Sequence, residues 1–196
     1  MSQPMKNLRL RRTQKLLREA LIDLIEERGF DALTVGEIAA RAMISRAAFY
    51  RNYQDKYALV EQIFEEAMGA LMNAVADMGP EHPPQIWVKF FEHIAEYERL
   101  YRALLGKKGS PWFVMMMRSS MTELVKEHGR IPNGHLAAGE QAANPFADEF
   151  VPDLVSTLFV EAITWWLEQG RPYPPKEMAR RCALLVSAIF RETGSW

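Results

Sequence analysis

A short run of residues, 45–51, concentrates side chains that can recognise DNA bases. Ser45 is a good N-cap for a helix that follows at once, and Phe49 can face a protein core. The remaining side chains point outward: Arg46, Ala47, Ala48, Tyr50 and Arg51. A helix this short cannot stand alone, and small residues with arginines on its outer face are typical of a helix that enters a major groove. There, arginine can bind guanine through two hydrogen bonds, and alanine can contact the methyl group of thymine.

The segment before this run predicts a partner helix. Thr34 is an N-cap, and Glu37 follows three residues later, which makes a capping box. Val35, Ile38 and Ala39 then fall on one apolar stripe at helical spacing. Residues 42–44 form the turn, and a further helix starts after residue 55. Two short helices joined by a tight turn predict a helix-turn-helix.

Residues 12–67 resemble the DNA-binding head of the TetR family of transcriptional regulators. The resemblance rests on the motifs LTVGEIAARA and ISRAAFYRNYQDKYALV, and on a long first helix that ends at Arg28, Gly29 and Phe30. Asn52 departs from the family, which commonly has His there. The resemblance implies phosphate contacts for Thr34, Tyr50, Arg51 and Lys56, and base contacts for Arg46, Ala47 and Ala48. Ser45 belongs to the same predicted DNA-binding set.

Met43 is the second departure, because the family usually has Gly in this turn. Two explanations are open. The turn keeps a backbone of positive φ and bears the strain, with the Met43 side chain packed on the first helix, or it shifts to negative φ. We favour the first, because the residues on both sides keep the family's register.

The N-terminal residues form a basic arm. Residues 1–18 contain six basic residues and no acid: Lys6, Arg9, Arg11, Arg12, Lys15 and Arg18. Such an arm before a helix-turn-helix favours phosphate binding over a merely solvated tail. We expect Arg11 and Arg12 to reach the DNA backbone or the minor groove. The predicted DNA-binding domain is residues 1–55, with residues 1–12 as the arm.

The whole chain reads as helix, with no sustained alternation of apolar and polar residues. The fold class is all-α: an N-terminal three-helix helix-turn-helix domain followed by a C-terminal helical bundle, about nine helices in total. The bundle, residues 56–196, is the predicted ligand-binding and dimerisation domain. One of its helices is expected to run from about Pro84, near its first turn, to about Leu105, before residues 106–110 break it.

Aromatic and methionine side chains recur on the helices of the bundle. Spaces between bundle helices often bind ligands, and methionine lines adaptable pockets, but the same pattern fits a packed core. With a TetR-like head attached, both readings stay open. The candidate ligand-binding residues are Trp87, Phe91, Trp112, Met116, Met117, Met121 and Trp165. The expected ligand is an apolar small-molecule effector.

The last two helices are apolar on more than one side, which requires a second packing partner. The short link between them, with the motif TWWLEQGRPYPPKEMA, also resembles the tail of TetR-type regulators that dimerise through a four-helix interface. We therefore expect a homodimer. The candidate interface residues are Leu158, Ala162, Trp166, Leu185 and Ile189.

Other classes of protein find little support. The phosphate-binding, metalloprotease and hydrolase motifs GxGxxG, GxxxxGK[ST], HExxH and GxSxG are absent, and no metal or other cofactor is expected. The single cysteine, Cys182, fits a reducing interior and a buried structural role. No secretory signal or membrane span is apparent, so a cytoplasmic location is expected.

The sequence therefore predicts a non-enzymatic, homodimeric regulator that binds a near-palindromic double-stranded DNA operator. Repression relieved by an apolar effector is the favoured mode. The alternatives are a ligand-binding or protein-partner module with a weakened DNA head and, less favoured, an enzyme. DNA binding with a flat salt dependence would support the module, and turnover without DNA would support the enzyme.

Overall fold

The computed structural model describes residues 3–75, 85–128 and 149–193, and all regular structure in these ranges is α-helical. Nine helices occur within them: α1 (Gln3–Arg28), α2 (Val35–Arg41), α3 (Arg46–Tyr50), α4 (Lys56–Val75), α5 (Gln85–Glu96), α6 (Glu98–Leu105), α7 (Pro111–His128), α8 (Phe150–Glu168) and α9 (Pro175–Thr193). The predicted all-α fold with an N-terminal helix-turn-helix is confirmed.

The chain divides into two compact units. The first contains residues 1–77 and 99–110, and the second contains residues 78–98 and 111–196. The boundary predicted after residue 55 thus falls inside the first unit. The reason is that α4 completes the head: Leu59, Ile63 and Ala67 recur at four-residue spacing on its buried side.

In the first unit, α1 supplies the central apolar stripe. Leu17, Leu21 and Ile25 are fully buried at four-residue spacing, which keeps them on one helix face. The helix ends at Gly29, whose φ is +83° and whose N–H donates to the carbonyl of Ile25 at 2.8 Å. A left-handed residue directly after the last helical turn is the usual helix stop, and glycine adopts it without strain.

Helix α6 and the turn after it cover the end of α1. The Lys108 carbonyl accepts the N–H of Phe30 at 2.9 Å, and the Lys108 ammonium donates to the carbonyl of Glu26 at 2.9 Å. Arg99 donates to the carboxylates of Asp23 at 2.5 Å and Glu26 at 2.8 Å. The Lys108 ammonium thus satisfies a carbonyl that the helix end leaves without an intrahelical partner, while Arg99 pairs with side-chain carboxylates of α1.

The single helix expected from Pro84 to Leu105 is divided at Tyr97 into α5 and α6. The Tyr97 N–H still bonds the carbonyl of His93 at 3.0 Å, so the interruption is short. No Gly or Pro lies at the division, which explains why the sequence did not indicate it. Residues 99–110 join the first unit, whereas α5 belongs to the second.

The second unit has an aromatic core between α5, α7, α8 and α9. The ring of Trp87 stacks on Phe159 with centroids 4.5 Å apart, and Phe91 meets Trp166 edge-on at 5.5 Å. The Trp166 indole N–H donates to the carbonyl of Tyr173 in the α8–α9 link at 2.8 Å. Such aromatic pairs contribute beyond the area they bury, and they fix how α5 packs on α8.

Candidate nucleic-acid interface

The start of α2 is fixed by the predicted capping box, which is present in full. The Thr34 hydroxyl oxygen accepts from the N–H of Glu37 at 3.3 Å, and the Thr34 N–H donates to the Glu37 carboxylate at 2.9 Å. The Thr34 hydroxyl also donates to the Glu37 carboxylate at 2.7 Å. This bond, then the bond from the Thr34 N–H, then contact with the Arg28 guanidinium lower the pKa of Glu37 to about 2. Glu37 is therefore ionised at neutral pH and holds the entry to the helix-turn-helix.

Helix α3 presents the predicted recognition face. The Ser45 side chain caps it by accepting the N–H of Ala48 at 3.1 Å, and Phe49 is fully buried beneath it. The predicted outward residues Arg46, Ala47, Tyr50 and Arg51 are exposed, and Ala48 is half-buried. The structure brings these side chains together on one short helix, while their contacts with DNA stay a prediction.

Met43, in the turn between α2 and α3, has the positive φ that the favoured explanation required, at +56°. Its N–H donates to the carbonyl of Ala40 at 3.0 Å, and the N–H of Ile44 donates to that of Ala39 at 2.9 Å. The side chain, however, is 86% exposed, so the expected packing on α1 is wrong. The positive φ ends α2, and the exposed side chain gains too little from burial to offset the backbone strain.

Gly36 provides space for the predicted base-reading arginine. A Cβ atom placed on Gly36 would lie 2.5 Å from a terminal guanidinium nitrogen of Arg46. The Arg46 guanidinium therefore rests against the backbone of α2 at Gly36, and a Cβ there would displace the flexible end of the arginine side chain. The sequence indicated that Gly36 is special, because glycine is a poor helix former and yet stands in the first turn of the seven-residue helix α2.

Lys56, at the start of α4, behaves differently from the other predicted contacts. Its ammonium donates to the carbonyl oxygens of Phe30 at 2.8 Å, Asp31 at 3.0 Å and Leu33 at 3.0 Å. Its charge is directed into the turn before α2. Arg11 and Arg12 on α1 are both exposed, as the arm prediction requires.

The candidate ligand residues fall into three groups. Trp87, Phe91, Met117 and Met121 are buried in the second unit. Trp112 and Met116 are half-buried. Trp165 is 46% exposed, so its assignment to an enclosed pocket with the others is wrong. The spacing of the buried residues fits a packed core as well as a ligand site.

The candidate dimer residues also differ in how exposed their side chains are. Leu185 is exposed, whereas Leu158, Ala162 and Ile189 are half-buried. Trp166 is fully buried inside its own protomer, so its assignment to the dimer surface is wrong. The exposed apolar side chains that sequence reasoning did not place there are Phe150, Leu154, Trp165 and Leu184.

Other candidate chemistry is sparse in the described part of the chain. Within it, no three His, Cys, Asp or Glu side chains converge as metal ligands would. Cys182 is buried as predicted, and burial raises its thiol pKa to about 12. Helix α8 reaches the length and mean hydropathy, 1.3, of a membrane span, but half of it is buried in the second unit. A core helix has the same properties, so α8 is weak evidence for a membrane.

Both parts of the chain match known families of regulators. Residues 17–63 match the sequence model described as "Bacterial regulatory proteins, tetR family". Residues 81–188 match the model described as "Transcriptional regulator C-terminal region". The second match alone covers more than half of the chain.

Individual relatives match part of the chain. An uncharacterised HTH-type transcriptional regulator of Bacillus subtilis, YxbF, is 34% identical over 61 residues, which are 31% of this chain and 16% of that protein. YdeS, of the same description and organism, is 42% identical over 52 residues, 26% of each chain. The chain thus spans about a quarter or less of these relatives' own length. The activator of the dhaKLM operon in Lactococcus lactis, DhaS, is 32% identical over 65 residues, 33% of this chain and 35% of that one.

Solved structures resemble the chain over nearly its full length. A TetR transcriptional regulator from Streptococcus agalactiae aligns with a TM-score of 0.68 and 20% identity, covering 94% of this chain and 99% of that one. The dihydroxyacetone kinase operon activator DhaS aligns with a TM-score of 0.58 and 15% identity, covering 92% and 97%. At these identities the likeness shows a shared fold.

Proposed function

This chain belongs to the TetR family of transcriptional regulators, and from that premise we propose that it represses transcription at a near-palindromic operator until a small apolar effector releases it. The observation that carries the DNA-reading part is the exposed face of α3. Arg46, Ala47 and Arg51 surround the buried Phe49 anchor on a helix that a side-chain cap and a tight turn hold in place. A rigid short helix with an arginine at its start suits direct readout of base edges.

The experiment is selection of DNA from a random pool, followed by affinity measurements with the selected duplex. Arg46→Ala should lose about 1–3 kcal/mol of binding to it and relax the base preference at one position in each half-site. Arg191→Ala, which removes an exposed arginine from α9, is the matched control and should bind as the wild type does. Equal losses on selected and random DNA would remove Arg46 from the base-reading role.

Dimerisation through α8 and α9 is the second part of the proposal. Phe150, Leu154 and Trp165 are exposed on α8, and Leu184 and Leu185 are exposed on α9. By their helical spacing, Phe150, Leu154 and Trp165 share one face of α8. An exposed apolar face of this kind often marks a protein interface. A two-fold dimer would also match the symmetry of a palindromic operator, because each protomer would read one half-site.

The effector part rests on the composition of the second unit. Its buried side chains include Trp87, Phe91, Met117 and Met121, which offer an adaptable apolar lining. Release then requires that the effector bind more tightly to a conformation that does not fit DNA, since only differential affinity shifts such an equilibrium. A protein that acts on the bacterial chromosome works in the cytoplasm, which is the location we expect.

A further inference from the structure

The three hydrogen-bond donors of Lys56 are all used within the first unit. They meet the carbonyl oxygens of Phe30, Asp31 and Leu33 at 2.8–3.0 Å. A protonated lysine has three N–H groups and no acceptor, so these bonds exhaust its hydrogen-bonding capacity. The acceptors lie in the turn between α1 and α2, where the Phe30 carbonyl also accepts the N–H of Leu33 at 3.1 Å.

The surroundings of Lys56 strengthen these bonds. The ammonium lies 4.6 Å from the centroid of the fully buried Phe30 ring, which in turn packs edge-on against Tyr57 at 5.3 Å. A cation over an aromatic face is attracted to it, and more strongly when water is partly excluded. Burial lowers the pKa of Lys56, while the Asp31 charge opposes that shift. Moving the ammonium elsewhere would therefore leave three carbonyls and an aromatic face without their cation.

The position of these bonds in the chain gives them a role. The acceptors immediately precede Thr34, which caps α2, and Lys56 is the first residue of α4. The bonds join residues 23 to 26 positions apart, and the helix-turn-helix lies between them. At the α4 end, the Asp55 carboxylate accepts the N–H of Ala58 at 2.8 Å and fixes the first turn. Lys56 thus ties together the two ends of the helix-turn-helix segment.

We infer that Lys56 serves DNA binding as a positioning residue, which holds the turn before α2 against the start of α4, and not as a phosphate contact. The inference rests on the proposed contact of α3 with DNA. Without the tie, α2 and α3 keep their caps and their apolar residues but lose their fixed angle to α4. Affinity for the specific site then falls, because several side chains of α3 must meet the groove together, while general attraction to phosphates is little changed.

The test separates position from charge by the salt dependence of binding to the selected duplex. Each lysine or arginine that contacts a phosphate adds about one unit to the slope of log affinity against log salt concentration. Arg51→Met, at a predicted phosphate contact, should flatten the slope by about one unit. Lys56→Met, which keeps the apolar stem, should leave the slope unchanged and weaken specific binding on the order of tenfold, equivalent to about 1.4 kcal/mol. Its binding to a random duplex should stay at the wild-type level.

Lys56→Arg is the second variant, because it keeps the charge. A planar guanidinium cannot direct three N–H groups to converging carbonyls as an ammonium does, so specific affinity should still fall. A phosphate contact would instead survive this change. Wild-type affinity of Lys56→Arg, or a slope that flattens in Lys56→Met as it does in Arg51→Met, would overturn the inference. If Lys56→Met does not fold, the specific affinity of Lys56→Arg alone decides between the positioning role and a phosphate contact.

Hydrogen exchange without DNA makes this outcome independent of the proposed function. Amides of α2 should exchange faster in Lys56→Met than in the wild type, because the turn that leads into α2 opens more often. Arg51→Met should exchange as the wild type does. Unchanged exchange of α2 in Lys56→Met would contradict the positioning role. Failure of the wild type to select any duplex would instead count against the proposed function, and the exchange result would still stand.

Discussion

Replacing Met43 by glycine should make the protein slightly more stable, although it removes a large apolar side chain. Met43 has a φ of +56° and is 86% exposed. An L-residue with a side chain is strained in this left-handed region, and glycine is not. Met43 therefore carries the backbone strain of the turn between α2 and α3 while it buries very little.

The magnitude follows from three contributions. Relief of left-handed strain should contribute about 1–2 kcal/mol. Against it, glycine gives the unfolded chain more freedom, which costs about 0.4–1 kcal/mol. Burying a whole methionine side chain is worth about 1.5–3 kcal/mol, and the small buried share of Met43 is worth roughly 0.2–0.4 kcal/mol. The net expectation for Met43→Gly is a gain of about 0.5 kcal/mol, within a range of roughly −0.4 to 1.4 kcal/mol.

Two controls isolate the backbone effect. Met43→Ala keeps the strained φ and loses only the side chain, so it should lie within about 0.5 kcal/mol of the wild type. Gly29→Ala is the reverse substitution at the end of α1, where φ is +83° and a Cβ would lie 3.3 Å from the Lys108 carbonyl oxygen. It should destabilise by about 1 kcal/mol or more, because strain and crowding both oppose it.

The assay is unfolding in urea for all three variants, analysed at constant slope against urea concentration. The order expected is Met43→Gly above wild type, Met43→Ala close to wild type, and Gly29→Ala below both. A glycine variant less stable than the alanine variant at position 43 would show that the turn is not strained. The assigned cost of the positive φ would then be wrong.

Three further outcomes can be measured on the same protein. The folded-state pKa of Glu37 is lowered to about 2 from 4.5. The Glu37 carboxylate therefore stabilises the folded state fully above about pH 5, and this stabilisation is lost as the pH falls through about 2. Glu37→Gln should flatten the part of the stability–pH curve where stability falls with acid. An unchanged acid dependence of stability in Glu37→Gln would show that Glu37 does not cause it. We expect the wild type to sediment as a dimer and Leu154→Glu to give a folded monomer, since it places a charge in the exposed apolar face of α8. A dimeric variant would exclude this face as the interface. Gly36→Ala should leave stability unchanged or slightly higher but reduce selectivity for the selected duplex, because the new Cβ displaces Arg46. Selectivity equal to the wild type would show that the position of Arg46 against Gly36 has no role in base reading.

The head was predictable in detail because short-range rules determine most of it. The capping box at Thr34 and Glu37, the cap at Ser45 and the buried Phe49 each follow from residue type and spacing within a few positions. The positive φ at Met43 followed from the register of the motif. What failed was the direction of long side chains. Neither the exposure of Met43 nor the acceptors of Lys56, 23 or more residues away, can be read from local spacing.

The errors in the second unit have a geometric cause. Leu158, Ala162 and Trp166 follow one another at four-residue steps, and a row at that spacing drifts around an α-helix because the period is 3.6 residues. By Trp166 the row has turned into the core, where the indole bonds the Tyr173 carbonyl. The row through Leu154, Leu158 and Trp165 alternates steps of four and seven residues and keeps to one side. Of two adjacent tryptophans on α8, the first therefore faces outward and the second inward. The proposed interface therefore includes Trp165 instead of Trp166, and in the proposed dimer α8 would close the core of the protomer and contact the second copy with its outer face.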